Sequence, residues 1–283
     1  MARKPKLVWM ILAHVALLAA CMVVLYPVML VCKKAFEPGR QFALSASPIP
    51  TAVTLDHFRD LFTARGGPDE LLFLRHTINS LIVALATTVV GVALSCTAAY
   101  ALSRFRFPGR KAGLSMFLVV QMFPATLLLI PLYVVLNKLG LLNSIGGLVL
   151  VYATTAIPFC VFMLKGYFDS LPRELEEAVL LDGGTRFDAF WRVALPLSRP
   201  ALAVTALFCF LTAWNEFILA YTFMNDPRAW TLPVAMQRYV GDYSTEWGHF
   251  AAGAIVVSLP VMALFFALER HLVGGLTQGG VKG

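Results

Sequence analysis

Six long apolar segments dominate this 283-residue chain and leave few folds open to it. About 20 apolar residues are needed for a helix to cross the hydrocarbon core of a bilayer. No Lys or Arg interrupts the segments, and Glu216 is their one acidic residue. Because backbone polar groups in lipid must be paired internally, we predict an all-α, polytopic membrane protein with six transmembrane helices. The predicted spans are about 7–31, 78–103, 112–136, 145–164, 201–224 and 250–268.

The polar segments between these spans predict the orientation in the membrane. Only 14% of the residues are charged, against about 25% in soluble proteins, and the net charge is +7. The short segment Arg104–Lys111 has four bases and no acid, which favours the cytoplasmic side. We therefore expect both termini and the segment 169–199 to be cytoplasmic. Residues 1–75 are predicted to form an N-terminal anchor helix and an outer loop, and residues 76–283 to form the core.

The segment 169–199 is rich in charge and predicts two short helices. Three carboxylates fall in a first helical turn, where they interact favourably with the positive end of the helix dipole. Gly183 and Gly184 are expected to end that helix, because glycine takes the left-handed cap conformation at little cost. The carboxylates are Glu174, Glu176 and Glu177, and the apolar stripe of this helix is Leu175, Ala178, Val179 and Leu181.

A second short helix follows the two glycines. Thr185, with Asp188 three residues on, predicts a variant of the capping box at its start. Phe187, Phe190 and Trp191 give this helix an aromatic face. Leu195-Pro196 predicts its end, since the residue before a proline avoids the helical region.

The spacing of this segment resembles the EAA loop of ABC-importer permease subunits. Glu177-Ala178-Val179, three residues, Gly183, nine residues, Val193, one residue and Leu195-Pro196 fit that pattern, with two conservative departures at Val179 and Val193. Other stretches are similar to the six-helix, G-type permease subunit of maltose and maltodextrin importers. These are Asn79-Ser80-Leu81, 99–104 with Phe107-Pro108-Gly109, 121–132, Trp214-Asn215-Glu216-Phe217 and 276–283.

The resemblance implies an ABC type I importer permease fold and a sugar as cargo, with maltose, maltodextrin or a related oligosaccharide such as trehalose expected. It also implies four partners: a homologous permease, two ATP-binding subunits and an extracytoplasmic sugar-binding protein. ATP and magnesium would be bound by the ATPase. The residues implied to couple to that ATPase are Glu174, Glu177, Ala178, Asp182, Gly183, Phe187, Phe190 and Pro196. Those implied to reach it from the tail are Gln278, Gly280 and Lys282.

Three polar residues inside the spans are candidates for the translocation path: Gln121, Asn215 and Glu216. A carboxylate inside the membrane costs at least about 2–3 kcal/mol and normally faces a cavity or a partner. Glu216 therefore either lines the path or holds a neighbouring helix in register, and the sequence leaves both readings open. In the maltose importers that this chain resembles, the partner permease carries the membrane sugar site, which counts against direct substrate contact by Glu216.

Motifs of catalysis are absent from the sequence. There is no Gly-x-x-x-x-Gly-Lys-Ser/Thr phosphate loop, so we expect the chain to be non-catalytic and to bind no ATP or other cofactor. The five cysteines and five histidines show no metal-ligand spacing. Two alternatives remain at this level: a permease of the same superfamily for a polyamine or phosphate ester, and an ATP-independent secondary carrier.

Overall fold

The computed structural model describes residues 7–39, 47–67, 70–240 and 245–279. Helices form nearly all regular structure in these ranges, beside a short antiparallel hairpin of β1 (Arg65–Gly67) and β2 (Glu70–Leu71). The α-helices are α1 Leu7–Phe36, α2 Asp56–Thr63, α3 Leu72–Arg104, α4 Arg110–Met122, α5 Leu129–Lys138, α6 Ile145–Ser170, α7 Glu174–Leu181, α8 Arg186–Ala189, α9 Leu195–Leu197, α10 Arg199–Trp214, α11 Ile218–Phe223, α12 Leu232–Met236 and α13 Trp247–Gly279.

Four helices of the described ranges are long and apolar enough to cross a membrane without a break: α1, α3, α6 and α13. Two bent helix pairs bring the number to six when each pair is counted as one span. One pair is α4 with α5, and the other joins 186–197 to α10 at an angle of 77°. The prediction of an all-α membrane protein is confirmed, with four continuous candidate spans, and the predicted number of six is reached only if each bent pair is one span.

The third predicted span, 112–136, is broken rather than continuous. Helix α4 ends at Met122, a 3₁₀ turn follows at Ala125–Leu128, and α5 begins at Leu129. Pro124 explains the break, because it has no N–H to donate and pushes the preceding residue out of the helical region. Phe123 accordingly has an extended backbone, with φ −78° and ψ 125°.

The chain forms two compact units, 1–71 with 236–258 and 72–235 with 259–283. In the first unit, α2 buries His57 and Leu61. The His57 ring bonds the carbonyl of Glu37 at 3.0 Å and lies against Gly248, where a Cβ would come within 2.3 Å of the ring. Gly248 is therefore required at this position by close packing.

The core of the second unit lies where α3, α6 and α10 pack together. Small residues on α3 allow close approach, as expected for helices that pack against protein rather than lipid. A Cβ on Gly91 would lie 2.9 Å from Sγ of Cys209. Towards one end, this core also takes in Phe190 and Ala194 from the segment between α8 and α9. The charged segment 169–199 therefore packs against the core formed by α3, α6 and α10.

The first turns of α3 fix the segment that follows α11. The side-chain amide of Asn79 donates to the carbonyls of Arg228 and Trp230, both at 3.0 Å. Ser80 Oγ accepts a hydrogen bond from the backbone N–H of Leu232 at 2.7 Å. These bonds tie two stretches about 150 residues apart in the sequence.

Candidate functional site

The end of α7 forms a complete glycine cap. Gly183 has φ +83°, in the left-handed region, and its N–H donates to the carbonyl of Leu180 at 3.2 Å. The N–H of Gly184 donates to the carbonyl of Val179 at 2.9 Å. Together these bonds make the Schellman motif, so the predicted stop of the first helix is confirmed. A Cβ on Gly184 would lie 2.6 Å from Cγ1 of Val179, so both glycines are needed for this turn.

The start of α8 has the predicted capping box. Thr185 Oγ1 accepts a hydrogen bond from the backbone N–H of Asp188 at 3.2 Å, and Asp188 Oδ2 accepts one from the N–H of Thr185 at 2.9 Å. The Thr185 hydroxyl also donates to this carboxylate, and these bonds hold the pKa of Asp188 below its ordinary value. The turn between α7 and α8 is therefore fixed from both sides.

The predicted end of the second helix at Leu195-Pro196 is wrong. The helix continues from α8 through a π-helical segment, Phe190–Ala194, and then through α9 to Leu197. In the π-helical segment, the N–H of Leu195 donates to the carbonyl of Phe190, five residues back. This wider turn accommodates Pro196, which has no N–H and would clash with a carbonyl in a regular helix.

One face of this helix-turn-helix is exposed and carries both apolar and acidic groups. Leu181 is 88% exposed, Phe187 68% and Trp191 58%, and the Phe187 and Trp191 rings are stacked with centroids 6.3 Å apart. Of the residues predicted to couple to an ATPase, seven are at least partly exposed on this loop: Glu174, Glu177, Ala178, Asp182, Gly183, Phe187 and Pro196. Phe190 is the exception, because it is buried against Tyr100 with ring centroids 4.7 Å apart.

Glu176 is the central residue of the loop's inner face. Its Oε1 accepts a hydrogen bond from Nε of Arg104 at 2.7 Å, and its Oε2 accepts one from the hydroxyl of Tyr100 at 2.8 Å. Arg104 also donates to the carbonyl of Leu171 at 3.2 Å. The last turn of α3 is thereby bonded to the beginning of the loop and to its first helix.

A second hydrogen bond joins α3 to the end of α6, next to the pair of Arg104 and Glu176. Ser103 Oγ donates to Oδ1 of Asp169, near the end of α6, at 2.6 Å, and Lys165 pairs with the same carboxylate. Together with the Glu176 bonds, it makes a polar clamp, formed by Tyr100, Ser103, Arg104, Asp169 and Glu176. The clamp joins three elements: α3, α6 and α7.

The sequence-based interpretation did not single out Glu176. The apolar stripe predicted for α7 is largely outward, since Leu181 is 88% exposed and Leu175 46%. The inner row is Glu176 with Val179 and Leu180, three and four residues on, which are adjacent on a helix surface. That spacing is a usable signal, but the sequence-based prediction assigns all three carboxylates of the first turn to the positive end of the helix dipole.

Glu216 lies in a break between α10 and α11, within the fifth predicted span. Its Oε2 accepts hydrogen bonds from the hydroxyl of buried Tyr152 at 2.7 Å and from the N–H of Ala220 at 3.0 Å. Its Oε1 accepts one from the N–H of Leu219 at 2.8 Å. The carboxylate therefore caps the positive end of α11 and joins it to α6.

The other predicted path and tail residues are placed as follows. Asn215 ends α10 and is exposed, and Gln121 is exposed on α4. No hydrogen bond joins Gln121 to Asn215 or Glu216 in the part of the chain that the structure describes. Gln278 lies in α13, which the structure follows to Gly279, whereas Gly280 and Lys282 lie outside the described residues.

The described residues thus combine helices long and apolar enough to cross a membrane with a charged helix-turn-helix that packs against them. Residues 91–278 match the sequence model of the family described as "Binding-protein-dependent transport system inner membrane component". The match covers well over half of the chain, which therefore belongs to this family. It is a multi-pass protein of the inner membrane.

Curated relatives match along nearly the whole chain. A galactooligosaccharide transport system permease protein, GanQ of Bacillus subtilis, is 36% identical over 275 residues, 97% of this chain and 96% of the relative. The maltose/maltodextrin permease protein MalG of Vibrio vulnificus is 39% identical, with 95% of each chain covered. The trehalose permease protein SugB of Mycobacterium tuberculosis is 38% identical over 86% of this chain and 90% of its own length.

A solved structure shares the fold. A chain of a bacterial ABC transporter that imports the acidic polysaccharide alginate superposes with a TM-score of 0.79, covering 95% of this chain and 99% of the other. The two sequences are 20% identical, so this likeness speaks to the fold alone. The predicted ABC importer permease fold is confirmed.

Proposed function

We propose that this chain is a permease subunit of an ATP-driven importer for an oligosaccharide. The observation that supports the proposal most strongly is that relatives named for galactooligosaccharides, maltose or maltodextrin, and trehalose are 36–39% identical to it over most of its length. Maltodextrin or a related small oligosaccharide is the cargo class that these names share. The chain itself carries out no hydrolysis in this proposal and binds no nucleotide.

The proposed assembly follows from the family and from the sequence. A binding protein outside the membrane delivers the sugar, this chain and a homologous permease form the pathway, and two ATP-binding subunits bind on the cytoplasmic side. Both termini of this chain are cytoplasmic in this arrangement. The basic segment Arg104–Lys111 supports that orientation, because cytoplasmic loops are enriched in Lys and Arg. Gln278, Gly280 and Lys282 remain predicted contacts of the tail with the ATPase.

The helix-turn-helix formed by α7 and α8 is the proposed coupling element. Its outward face presents the acidic first turn with Glu174 and Glu177, and the exposed Phe187 ring, to a groove on the ATPase. Its inward face is bonded to α3 through Glu176, and α3 is in turn bonded to the end of α6 through Ser103 and Asp169. A displacement of the outer face by ATPase closure would therefore move the ends of both helices as a rigid body, since the cap, the capping box and the clamp leave the loop little freedom to bend.

For Glu216 we propose a structural role, in which its carboxylate holds the break between α10 and α11. Both of its oxygens already accept hydrogen bonds from Tyr152 and from backbone N–H groups of α11. A broken helix provides exposed backbone groups where a pathway can form, and the carboxylate would stabilise that break. A place on the translocation path for Gln121, Asn215 and Glu216 remains a prediction.

Co-purification with the ATPase tests the coupling element. The chain would be expressed with its candidate partner permease and ATPase, purified in nanodiscs, and compared with Glu177→Lys. Loss of the ATPase from the mutant, with the permease pair intact, is the expected result. Arg59→Glu, a charge reversal on exposed α2, is the matched control and should retain the ATPase. Retention by both variants would contradict the proposed docking face.

Uptake into proteoliposomes tests the cargo. Maltodextrin, trehalose and a galactooligosaccharide would be compared with a polyamine and a phosphate ester, each with the candidate binding protein present. ATP-dependent uptake of one of the sugars supports the proposal. Uptake of the polyamine or the phosphate ester alone would show that the cargo is not a sugar. Uptake without the ATPase subunits would favour an ATP-independent secondary carrier.

A further inference from the structure

A groove outside the polar clamp runs along the cytoplasmic end of α3. Its volume is about 280 Å³. One wall consists of Thr97, Tyr100, Ala101 and Phe105, and the other of Arg186, Phe187 and Phe190. Thr97 and Ala101 are four residues apart and so lie on one face of α3, and Phe105, directly after the helix, continues the row because its N–H donates to the carbonyl of Ala101 at 3.0 Å. The groove is therefore an apolar, aromatic-walled channel with a single cation, Arg186, among its lining residues.

The position of the groove along α3 places it at the membrane boundary. The row from Thr97 to Phe105 covers nine residues, and the eight steps between them rise about 12 Å at 1.5 Å per residue. The apolar span of α3 extends to Ser103, and the bases that mark the cytoplasmic headgroup level begin at Arg104. The groove thus starts at the expected headgroup level and extends towards the apolar part of α3, where Leu94, one turn further, is 52% exposed.

Arg186 is the charged side chain among the residues that line the groove, whereas Glu176, which bonds Tyr100 of its wall, is buried and already paired with Arg104. Arg186 is exposed, and no carboxylate lies within ion-pair distance of it among the residues that the structure describes. The exposed Arg106 follows Phe105 directly, and Arg110 and Lys111 are close in the chain. By contrast, Arg192 on the same helix-turn-helix already pairs with Asp188 at 3.2 Å. An occupant with an apolar part and an anionic head would match this distribution.

We propose that the groove is a binding site for an anionic phospholipid of the cytoplasmic leaflet. An acyl segment would lie against Ala101 and the rings of Tyr100, Phe105 and Phe190, and the phosphate would face Arg186. Basic pockets beside membrane helices on the cytoplasmic side are typical sites of anionic headgroups. The volume is close to the lower end of the roughly 300–1,000 Å³ found for small-molecule sites, so it holds part of one chain rather than a whole lipid.

A lipid at this site would stabilise the packing of the helix-turn-helix against α3, which the polar clamp also stabilises through Glu176. Its two walls belong to α3 and to the segment of α8 and Phe190, and Tyr100 contributes its ring to the groove and its hydroxyl to Glu176. A bound lipid would hold these two walls together at the membrane surface. The lipid inference does not depend on the transported cargo, and its test needs neither a sugar nor ATP.

Native mass spectrometry of the purified permease tests the inference. The wild type would be titrated with phosphatidylglycerol and with phosphatidylcholine of identical acyl chains. We expect one phosphatidylglycerol to bind more tightly than phosphatidylcholine, and Arg186→Gln to weaken it about five-fold, the factor expected for one lost base near a membrane surface. Arg192→Gln is the matched control, because Arg192 is already paired, and should bind phosphatidylglycerol as the wild type does.

A second measurement keeps the inference testable if a variant folds poorly. A photoactivatable phosphatidylglycerol, cross-linked in nanodiscs and mapped by peptide mass spectrometry, should label the peptides containing 97–105 and 186–190. Thr97→Trp, which narrows the groove at its membrane end, should reduce this labelling. Equal binding of the two lipids, unchanged binding by Arg186→Gln, or labelling confined to other helices would overturn the site. Loss of labelling when the ATPase is added would identify the groove as a protein interface instead.

Discussion

Nε of Arg104 lies 2.7 Å from Oε1 of Glu176, and the two side chains are only 5% and 4% exposed. A buried ion pair of this kind does not by itself stabilise a protein much, because desolvation of the charges offsets their attraction. Its effect is directional: the planar guanidinium also reaches the carbonyl of Leu171, so the orientation of α7 against α3 is specified. The neighbouring Glu177 is exposed. Glu176 therefore anchors α7 to α3, whereas Glu177 is available for the proposed contact with the ATPase.

Removing one partner of this pair should be costly. Glu176→Leu leaves the Arg104 guanidinium buried without its carboxylate, and breaking a buried pair in this way costs about 3–5 kcal/mol of unfolding free energy. Thermal unfolding of the purified chain in nanodiscs measures the effect. Glu177→Leu, one residue on and exposed, should change the midpoint little. Equal unfolding midpoints for Glu176→Leu and the wild type would show that Arg104 and Glu176 do not form this ion pair in the protein.

Replacing both partners should separate stability from coupling. The double variant Glu176→Leu/Arg104→Met removes both charges, and such apolar replacements of buried pairs are often neutral or stabilising. We expect its midpoint to lie between those of Glu176→Leu and the wild type, because the buried Tyr100 hydroxyl still loses its acceptor, which costs about 1–3 kcal/mol. Without the directional bonds, the reconstituted importer should hydrolyse ATP with fewer sugar molecules transported per ATP. A wild-type ratio in the double variant would mean that packing alone orients α7.

The two glycines after α7 should respond differently to substitution. At Gly183, φ is +83° but no atom lies within 4 Å of an added Cβ, so Gly183→Ala should cost only the backbone term of about 1–2 kcal/mol. Gly183→Asn should cost less, because asparagine tolerates this conformation. Gly184→Ala instead meets Val179 at 2.6 Å. Unfolding midpoints should therefore rank Gly183→Asn above Gly183→Ala, and a reversed order would contradict the left-handed cap.

The sequence predicted the helical class, the glycine cap and the Thr185 capping box, because each depends on residues close together in the chain. It did not predict the polar clamp, which brings Arg104 to Glu176 across 72 residues. Nor did it predict the continuation past Pro196, since a π-helical segment is a response to packing as well as to local propensity. The bond from Tyr152 to Glu216 could not be predicted either, because Tyr152 comes from another helix.

The bonds of Glu216 predict a local effect on α11. Glu216→Ala removes the acceptor of the Leu219 and Ala220 N–H groups and of the buried Tyr152 hydroxyl, and each buried group left unsatisfied costs about 1–3 kcal/mol. Hydrogen exchange should become faster in α11 while α10 peptides stay protected. Glu216→Gln keeps one acceptor oxygen and should be intermediate. Unchanged exchange in α11 would favour a role on the translocation path over a structural one.

The close approach of Gly91 to Cys209 predicts a rescue by a second substitution. A Cβ on Gly91 would lie 2.9 Å from Sγ of Cys209 but 3.8 Å from its Cβ, so only the sulfur is too close. Gly91→Ala should destabilise the contact between α3 and α10 by about 1–3 kcal/mol, the usual cost of overpacking. Gly91→Ala/Cys209→Ala should recover most of this loss in thermal unfolding. Gly113→Ala, on α4 with no atom within 4 Å, is the matched control and should be neutral or slightly stabilising. If Gly91→Ala behaved like Gly113→Ala, the two helices would have to lie further apart than the structure places them.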